Sequence, residues 1–522
     1  MKMLLAGPGT GKTSWIKDIV RTNAEREFLV LSFTNATISG LLDDFAADKA
    51  HINKGNCMTL HAYALRVVGH STECILNETD EAIAKKCAKK YEMTLEDFCR
   101  VFECITFDQM VEKATAFFRD NEVAAGGLIN QNVILVVDEF QDFNRSERAL
   151  IGQVAAHASE TYILGDDDQC IYEFKNAGIE GIQSLYNDGT VEKIRHNNVC
   201  YRCPNEVVAA MDNLIRHNQR RVPKELKASG KSGYMRIRQF DTQAETGSAI
   251  LTEIQRIRGA NQDASIMVLS SNKFALRPVI EAFERTGLQY VSLLKQEVDQ
   301  DLACLIWEVK CLLSSDVRQR MLYLLFMGQV KKLGFEIDRE TLATSIKEAW
   351  QGVLNTAEQK SNLDPRFLEL LATGINLADL GAEPRYSMIF PTTADTANLD
   401  ADQVIDYLNA RLSRGSHFDK HGVNVLSIHK SKGLQADYVF IVGVVEGMLP
   451  NALNGLDDIE NQRRVLYVGM SRALSALYLV STVKWDGAVT NKFDKSKFPY
   501  DWRSKSHVGA ASSFISELRE QP

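Results

Sequence analysis

Met3-Leu4-Leu5-Ala6-Gly7-Pro8-Gly9-Thr10-Gly11-Lys12-Thr13 is where this chain declares its fold. A short apolar run enters a glycine loop, and an apolar helical pattern follows through Trp15, Ile16, Ile19 and Val20. Such a strand-loop-helix points successive backbone N–H groups and a helix N-terminus at an anion. Gly7, Pro8, Gly9, Thr10, Gly11, Lys12 and Thr13 fit the pattern G-x-x-x-x-G-K-[ST], with Ala6 in the place of its first glycine. Lys12 brings a point charge to the β- and γ-phosphates, and the Thr13 hydroxyl is a ligand for Mg²⁺. The stretch predicts a nucleoside triphosphate site.

Working outward, buried strands are predicted at Phe28–Leu31, Val133–Val137 and Thr161–Leu164. A second set follows at Tyr234–Phe240, Ala264–Leu269, Val423–Ile428 and Tyr438–Val442. Short apolar strands alternating with helical stretches indicate parallel sheets with helices on both faces. The expected fold is α/β: two doubly wound parallel-sheet domains, each with a mostly helical insertion. Residues 1–69 and 129–198 form the first domain, interrupted by an insertion at 70–128. Residues 199–294 and 421–485 form the second, interrupted by an insertion at 295–420, and 486–522 is a C-terminal tail. Chemistry in such sheets gathers at the carboxyl ends of the strands.

One of those ends carries Asp138-Glu139, directly after Val136-Val137. A triphosphate site needs one carboxylate for the metal and another for the attacking water. Asp138 is placed to bind Mg²⁺ together with Thr13, and Glu139 to orient or deprotonate water.

The bulk composition narrows the class. At 522 residues the chain is too long for one core, and 45% hydrophobic with 25% charged residues is a globular composition. No apolar run reaches the roughly 18 residues of a membrane helix, and the opening strand runs into the glycine loop with no signal-peptide pattern. A cytoplasmic location with no membrane partner is the expectation. The net charge of −8 argues against a passive nucleic-acid coat. The ten cysteines, which include the close pairs Cys99/Cys104 and Cys200/Cys203, read as reduced thiols and not as disulfides or a metal site.

From Asp138-Glu139-Phe140-Gln141-Asp142 onward the sequence resembles the UvrD/Rep/PcrA group of superfamily 1 helicases. Leu31-Ser32-Phe33-Thr34-Asn35 and Thr59-Leu60-His61 resemble two DNA-contact motifs of that family. Gly165-Asp166-Asp167-Asp168-Gln169-Cys170-Ile171-Tyr172 resembles its GDxDQSIY block, and Tyr201-Arg202-Cys203-Pro204 its NYRS block. Ser427-Ile428-His429-Lys430-Ser431-Lys432-Gly433-Leu434 resembles TIHxxKGLE, and Gln462–Ala473 resembles ERRLLYVGxTRA. With the glycine loop these make eight blocks in the family's order between residues 6 and 473.

The resemblance implies that both α/β domains are RecA-like and that the chain is an ATP- and Mg²⁺-dependent motor moving 3′ to 5′ on single-stranded DNA, separating strands at junctions. It implies that Gln169 senses the γ-phosphate, that Arg202 and Arg472 act as arginine fingers from the second domain, and that Gln435 hydrogen-bonds the ribose. Single strands are held without base specificity by phosphate contacts and aromatic platforms. The implied DNA contacts are Phe33, Thr34, Asn35, Thr59, His61, Tyr63, Tyr172, Phe174 and His429. Three departures stand out. Gln435 replaces the glutamate of GLE, Phe174-Lys175-Asn176-Ala177 replaces WRGA, and Met1 lies six residues before Gly7, where relatives carry an adenine-gripping segment. Weak adenine discrimination is expected from the last of these. About fifty residues follow the last motif, too few for a nuclease domain. The alternative is a DNA-stimulated motor subunit that powers a partner, such as a nuclease or a replication or repair factor, and unwinds poorly alone. A scaffold without turnover would not need Lys12, Asp138, Glu139, Gln169 and Arg472 together.

Overall fold

The structure is a computed structural model that describes residues 1–47, 52–69, 74–121, 127–129, 132–173, 177–294, 300–313, 323, 403–404, 418–451, 456–486 and 494–519. The chain divides into two compact units, Met1–Val67 with Val111–Leu294 and His417–Pro522, and Val68–Met110 with Lys295–Ser416.

The first unit holds both predicted sheets. One is built from β1 (Lys2–Leu5), β2 (Glu27–Ser32), β3 (Cys57–Thr59), β4 (Val133–Val137), β5 (Glu160–Gly165) and β6 (Glu192–Lys193) in the order β3-β2-β4-β5-β1-β6. Every pairing in it is parallel. All five residues of β4 are buried. A strand covered on both faces has no solvent side, so its sequence is a continuous Val/Ile/Leu run with no alternation. Because the strands are parallel, the residues after Leu5, Ser32, Val137 and Gly165 emerge at one edge.

β7 (Val199–Cys200) and β8 (Lys227–Ala228) pair with each other. The larger sheet then contains β9 (Tyr234–Thr242), β10 (Ile266–Ser270), β11 (Val291–Ser292), β12 (Val423–Ser427), β13 (Ala436–Val442), β14 (Ala473–Trp485), β15 (Tyr500–Asp501) and β16 (Ser506–Val508). Its order is β11-β12-β10-β13-β14-β16-β15, with β9 also parallel to β14. The stretch from 486 onward was expected to be a tail. β15 and β16 instead extend the sheet antiparallel, and Phe498 and Phe514 are buried.

The second unit corrects the reading of the insertions. The helices Glu78–Lys90 and Leu95–Phe102 from the first insertion share one core with Gln300–Leu313 from the second, through Cys87, Phe98, Phe102, Trp307 and Val309. The first insertion also ends earlier than residue 128, because Val111 and the chain after it lie in the first unit. Most of the second insertion lies outside the described residues.

Candidate functional site

The glycine loop follows β1 at the strand edge. Gly9 (φ 66°) and Gly11 (φ 94°) take the left-handed conformation that side chains disfavour, so glycine is required to turn the loop. The loop is braced locally: Ala6 N–H donates to the Gly165 carbonyl at 3.0 Å, and the Thr10 hydroxyl to the Gly7 carbonyl at 2.8 Å. Lys12 opens the helix Lys12–Thr22 and folds its ammonium into the loop, donating to the carbonyls of Ala6 (3.0 Å) and Gly7 (3.2 Å). Thr13 is half-buried beside it and Pro8 is buried.

The segment around Arg202 covers this loop. The Asn198 side chain accepts from Gly7 N–H at 2.9 Å, and Tyr201 N–H donates to the Gly9 carbonyl at 2.9 Å. A Cβ on Gly9 would lie 2.5 Å from the Arg202 Cβ, so this close approach also demands glycine. The Arg202 guanidinium reaches the Ser471 carbonyl at 3.4 Å.

At the end of β4, Asp138 is buried and its carboxylate accepts from Glu139 N–H at 2.9 Å. Glu139 adopts φ 53°, a conformation costing a non-glycine residue about 1–3 kcal/mol and common where a side chain is aimed for function. The pair diverges electrostatically. Burial, then the neighbouring Glu139 charge, pushes the Asp138 carboxyl up to about 7. Burial also opposes the Glu139 charge, but Lys12, Lys432 and a hydrogen bond from Gln141 (2.5 Å) outweigh it and hold that carboxyl low, at about 2.

Lys432 was quoted within its motif but given no role, yet it is buried at the centre of the site. Its ammonium donates to Asp142 (2.7 Å) and to the Gln169 carbonyl (2.8 Å), and lies 3.9 Å from Glu139. Burial raises the Asp142 carboxyl to about 7 despite that partner. Gln169 in turn joins the two sheets: its amide donates to Asp166 (2.7 Å) and its oxygen receives Arg472 at 3.4 Å. Arg472 is buried and fixed by Val468 (3.0 Å) and Leu434 (3.2 Å) carbonyls. Burial and the charge of Arg202 work against its own charge.

Three buried carboxylates precede Gln169, and the cations that neutralise them come from a loop more than fifty residues further along the chain. Arg221 grips Asp168 with two hydrogen bonds (2.9 and 2.7 Å), while Lys224 meets Asp166 (3.1 Å), Asp168 (2.6 Å) and Asp167. Gln435 is exposed just before β13.

The expected DNA contacts separate into two sets. Phe33 lies 5.4 Å from Tyr172, whose ring is 6.4 Å from His429 and whose hydroxyl donates to the His429 carbonyl at 3.2 Å. These form one aromatic row running from the first sheet to the second. Thr34 caps Thr37 N–H (3.2 Å), Asn35 is exposed at a helix start, Thr59 accepts from Ala62 N–H (3.2 Å), and His61 pairs with Glu147 at 3.1 Å. Tyr63 needs correction. It is 3% exposed, its ring stacked on Phe118, so it offers no face to a base. Phe174 lies outside the described residues.

Two helicase family models match parts of the chain. The family described as UvrD/REP helicase N-terminal domain matches residues 70–190, and the UvrD-like helicase C-terminal domain matches 392–484. The chain is 24% identical over 442 residues to the ATP-dependent DNA helicase PcrA of Staphylococcus epidermidis, covering 73% of this chain and 59% of that protein. It is 24% identical over 501 residues to PcrA of Leuconostoc citreum (84% and 64%), and 24% over 401 residues to DNA helicase II of Escherichia coli (66% and 55%). The matches thus span about six tenths of the length of these relatives. No described helix is long and apolar enough to cross a membrane. With eight motif blocks in order on two parallel sheets, the chain is similar to the UvrD/Rep/PcrA-like superfamily 1 helicases, whose N-terminal and C-terminal domain models each match part of it.

Proposed function

We propose that this protein hydrolyses ATP in the cleft between its two sheets and uses the cycle to move 3′ to 5′ along single-stranded DNA and separate strands. The observation that carries the reading is the Gln169 bridge. One side chain touches Asp166 of the first sheet and Arg472 of the second, beside the glycine loop. A group so placed feels both the phosphate end and the relative position of the two halves.

The residues present suit the substrate. Lys12 satisfies its ammonium on two neutral carbonyls, which a phosphate oxygen, a charged acceptor, outbids. Asp138 and Thr13 supply hard oxygen donors, and the tendency of Asp138 to hold a proton is what a divalent cation would reverse. Mg²⁺ there would draw charge from the β- and γ-phosphate oxygens. Glu139, kept ionised by Lys12 and Lys432, is ready to orient water or accept its proton. Arg472 and Arg202 belong to the wall formed by the second sheet, so charge developing on the γ-phosphate is met only when the cleft is assembled. The row Phe33, Tyr172 and His429 supports stacking of bases, and Tyr172 and Lys432 (5.4 Å to the ring) tie that row to the carboxylates. The direction of travel rests on the family resemblance alone.

The test is unwinding of duplexes with 3′ or 5′ single-stranded tails, with Glu139→Gln as the inactive control. Strand separation from 3′ tails is expected. Unwinding only from 5′ tails would overturn the direction, and ATP turnover without separation would favour the motor-subunit alternative.

A further inference from the structure

The sequence Cys200-Tyr201-Arg202-Cys203 places two thiols two residues apart around a candidate arginine finger. β7 ends at Cys200, and the helix Asn205–Arg216 begins just after Cys203 and Pro204. The two-residue turn between them holds the thiols beside each other, so that each perturbs the other's titration. Both thiols are fully buried, and Tyr201 between them is 66% exposed.

Each thiol also touches the nucleotide machinery. A Cβ on Gly9 would lie 3.2 Å from the Cys200 sulfur, and Tyr201 N–H donates to Gly9. Cys203 donates to the Ser471 carbonyl at 3.5 Å, the same oxygen that receives Arg202, one residue before Arg472. The remaining close thiols, Cys99 with Cys104 and Cys87 with Cys304, lie in the other unit.

We propose that Cys200 and Cys203 are a reversible dithiol–disulfide site against the phosphate loop, oxidised by a hydroperoxide to switch off nucleotide turnover. The neighbouring Cys203 thiol, then the backbone N–H groups of Cys203 and Arg202, outweigh burial and lower the Cys200 thiol to about 6, which makes Cys200 the attacking sulfur. Cys200 gives its proton to solvent; the thiolate attacks one peroxide oxygen, the O–O bond breaks, and the leaving hydroxide or alkoxide takes up a proton from solvent, giving a sulfenic acid at Cys200. Cys203 then attacks that sulfur, the S–O bond breaks, and its proton leaves with the oxygen as water. In sum the dithiol loses two electrons and two protons, and the peroxide becomes two waters or water and an alcohol.

Disulfide formation shortens the sulfur–sulfur separation to about 2 Å. The backbone of residues 200–203 carries both the contact with Gly9 and the base of Arg202, so it must shift. A misplacement of about 1 Å at such a site can cost about 10²-fold in rate.

The switch rests on the ATPase reading; the disulfide does not, and the test separates them. The reduced full chain is treated with hydrogen peroxide, its free thiols are alkylated, and the peptide containing 200–203 is weighed while ATP turnover is followed. We expect that peptide to lose the mass of two hydrogens and carry no alkyl group. Turnover should fall at least about tenfold and return with dithiothreitol. Cys203→Ser and Cys203→Ala should each abolish the reversible loss. Two alkylated thiols after peroxide, or over-oxidation of Cys200 without a disulfide, would overturn the site. A disulfide that leaves turnover unchanged would overturn the switch. If reduced protein has no turnover, the ATPase reading fails and the peptide mass alone decides the site.

Discussion

Replacing Lys224 with methionine should destabilise the protein by about 3–5 kcal/mol at pH 8, the cost of breaking a buried ion pair from one side. Three carboxylates surround this ammonium, with side chains at most 1% exposed. With Lys224 and Arg221 present the cluster carries one net negative charge, and without Lys224 it carries two. Arg221 still holds Asp168, and Val222 N–H still donates to Asp167 (2.6 Å), so the uncompensated charge falls on Asp166 and Asp167. Burial already raises the Asp167 carboxyl in the intact protein. In the variant, with one neighbouring cation gone, it should rise further. A carboxyl whose folded pKa is raised opposes folding above its unfolded value near 4, and that penalty is relieved as pH falls through the folded pKa. Protonation relieves that penalty, so the defect should be smaller at pH 6 than at pH 8. The intact Lys224 pKa is raised, so its own stabilisation is fully present across this range, and groups such as Asp138 and Asp142, raised to about 7 in both proteins, cancel in the difference between them. Denaturant unfolding of both proteins at the two pH values reads the difference directly. A loss below about 1 kcal/mol, or one identical at pH 8 and pH 6, would refute the assigned charge balance.

Three further outcomes are expected. Arg472→Lys and Gln169→Ala should lower the rate of ATP hydrolysis about 10³-fold or more and about tenfold or more, respectively, with single-stranded DNA affinity retained in a binding assay. The Asp138 carboxyl, raised to about 7 by burial and Glu139, must lose its proton to bind a cation, so the Mg²⁺ concentration for half-maximal turnover should climb about tenfold per pH unit below 7 and level off above 8; equal midpoints at pH 6 and pH 8 would contradict this. Phe33→Ala or Tyr172→Ala should weaken single-stranded DNA binding by about 1–3 kcal/mol in a fluorescence-anisotropy titration, while Tyr63→Phe, which removes a buried hydroxyl with no partner, should leave both affinity and stability within about 1 kcal/mol.

Much of the fold was legible because parallel strands buried on both faces write themselves as continuous apolar runs. Val133–Val137 and Ile266–Ser270 are such runs, and the polar residues after them fall at strand ends by necessity. The glycine loop was legible for a similar reason, since Gly9 and Gly11 have conformations only glycine tolerates well. Long-range pairing was not legible. Nothing local tells Lys224 that it will face Asp166–Asp168, or Lys432 that it will meet Asp142, because each partner comes from a distant loop. The shared core of the two insertions was hidden likewise, since Phe98 and Trp307 each read as an ordinary apolar helix position. Tyr63 misled because it follows a stretch that resembles a DNA-contact motif, whereas its ring turns inward onto Phe118.

Steady-state ATP hydrolysis, measured with and without single-stranded DNA in wild-type protein and in Glu139→Gln, tests the central claim most directly. The aromatic row and the carboxylates meet at Tyr172 and Lys432, so DNA should accelerate turnover of the wild-type protein at least about tenfold and the variant should be inactive in both states. Turnover that ignores DNA, or that survives loss of the Glu139 carboxylate, would contradict the account.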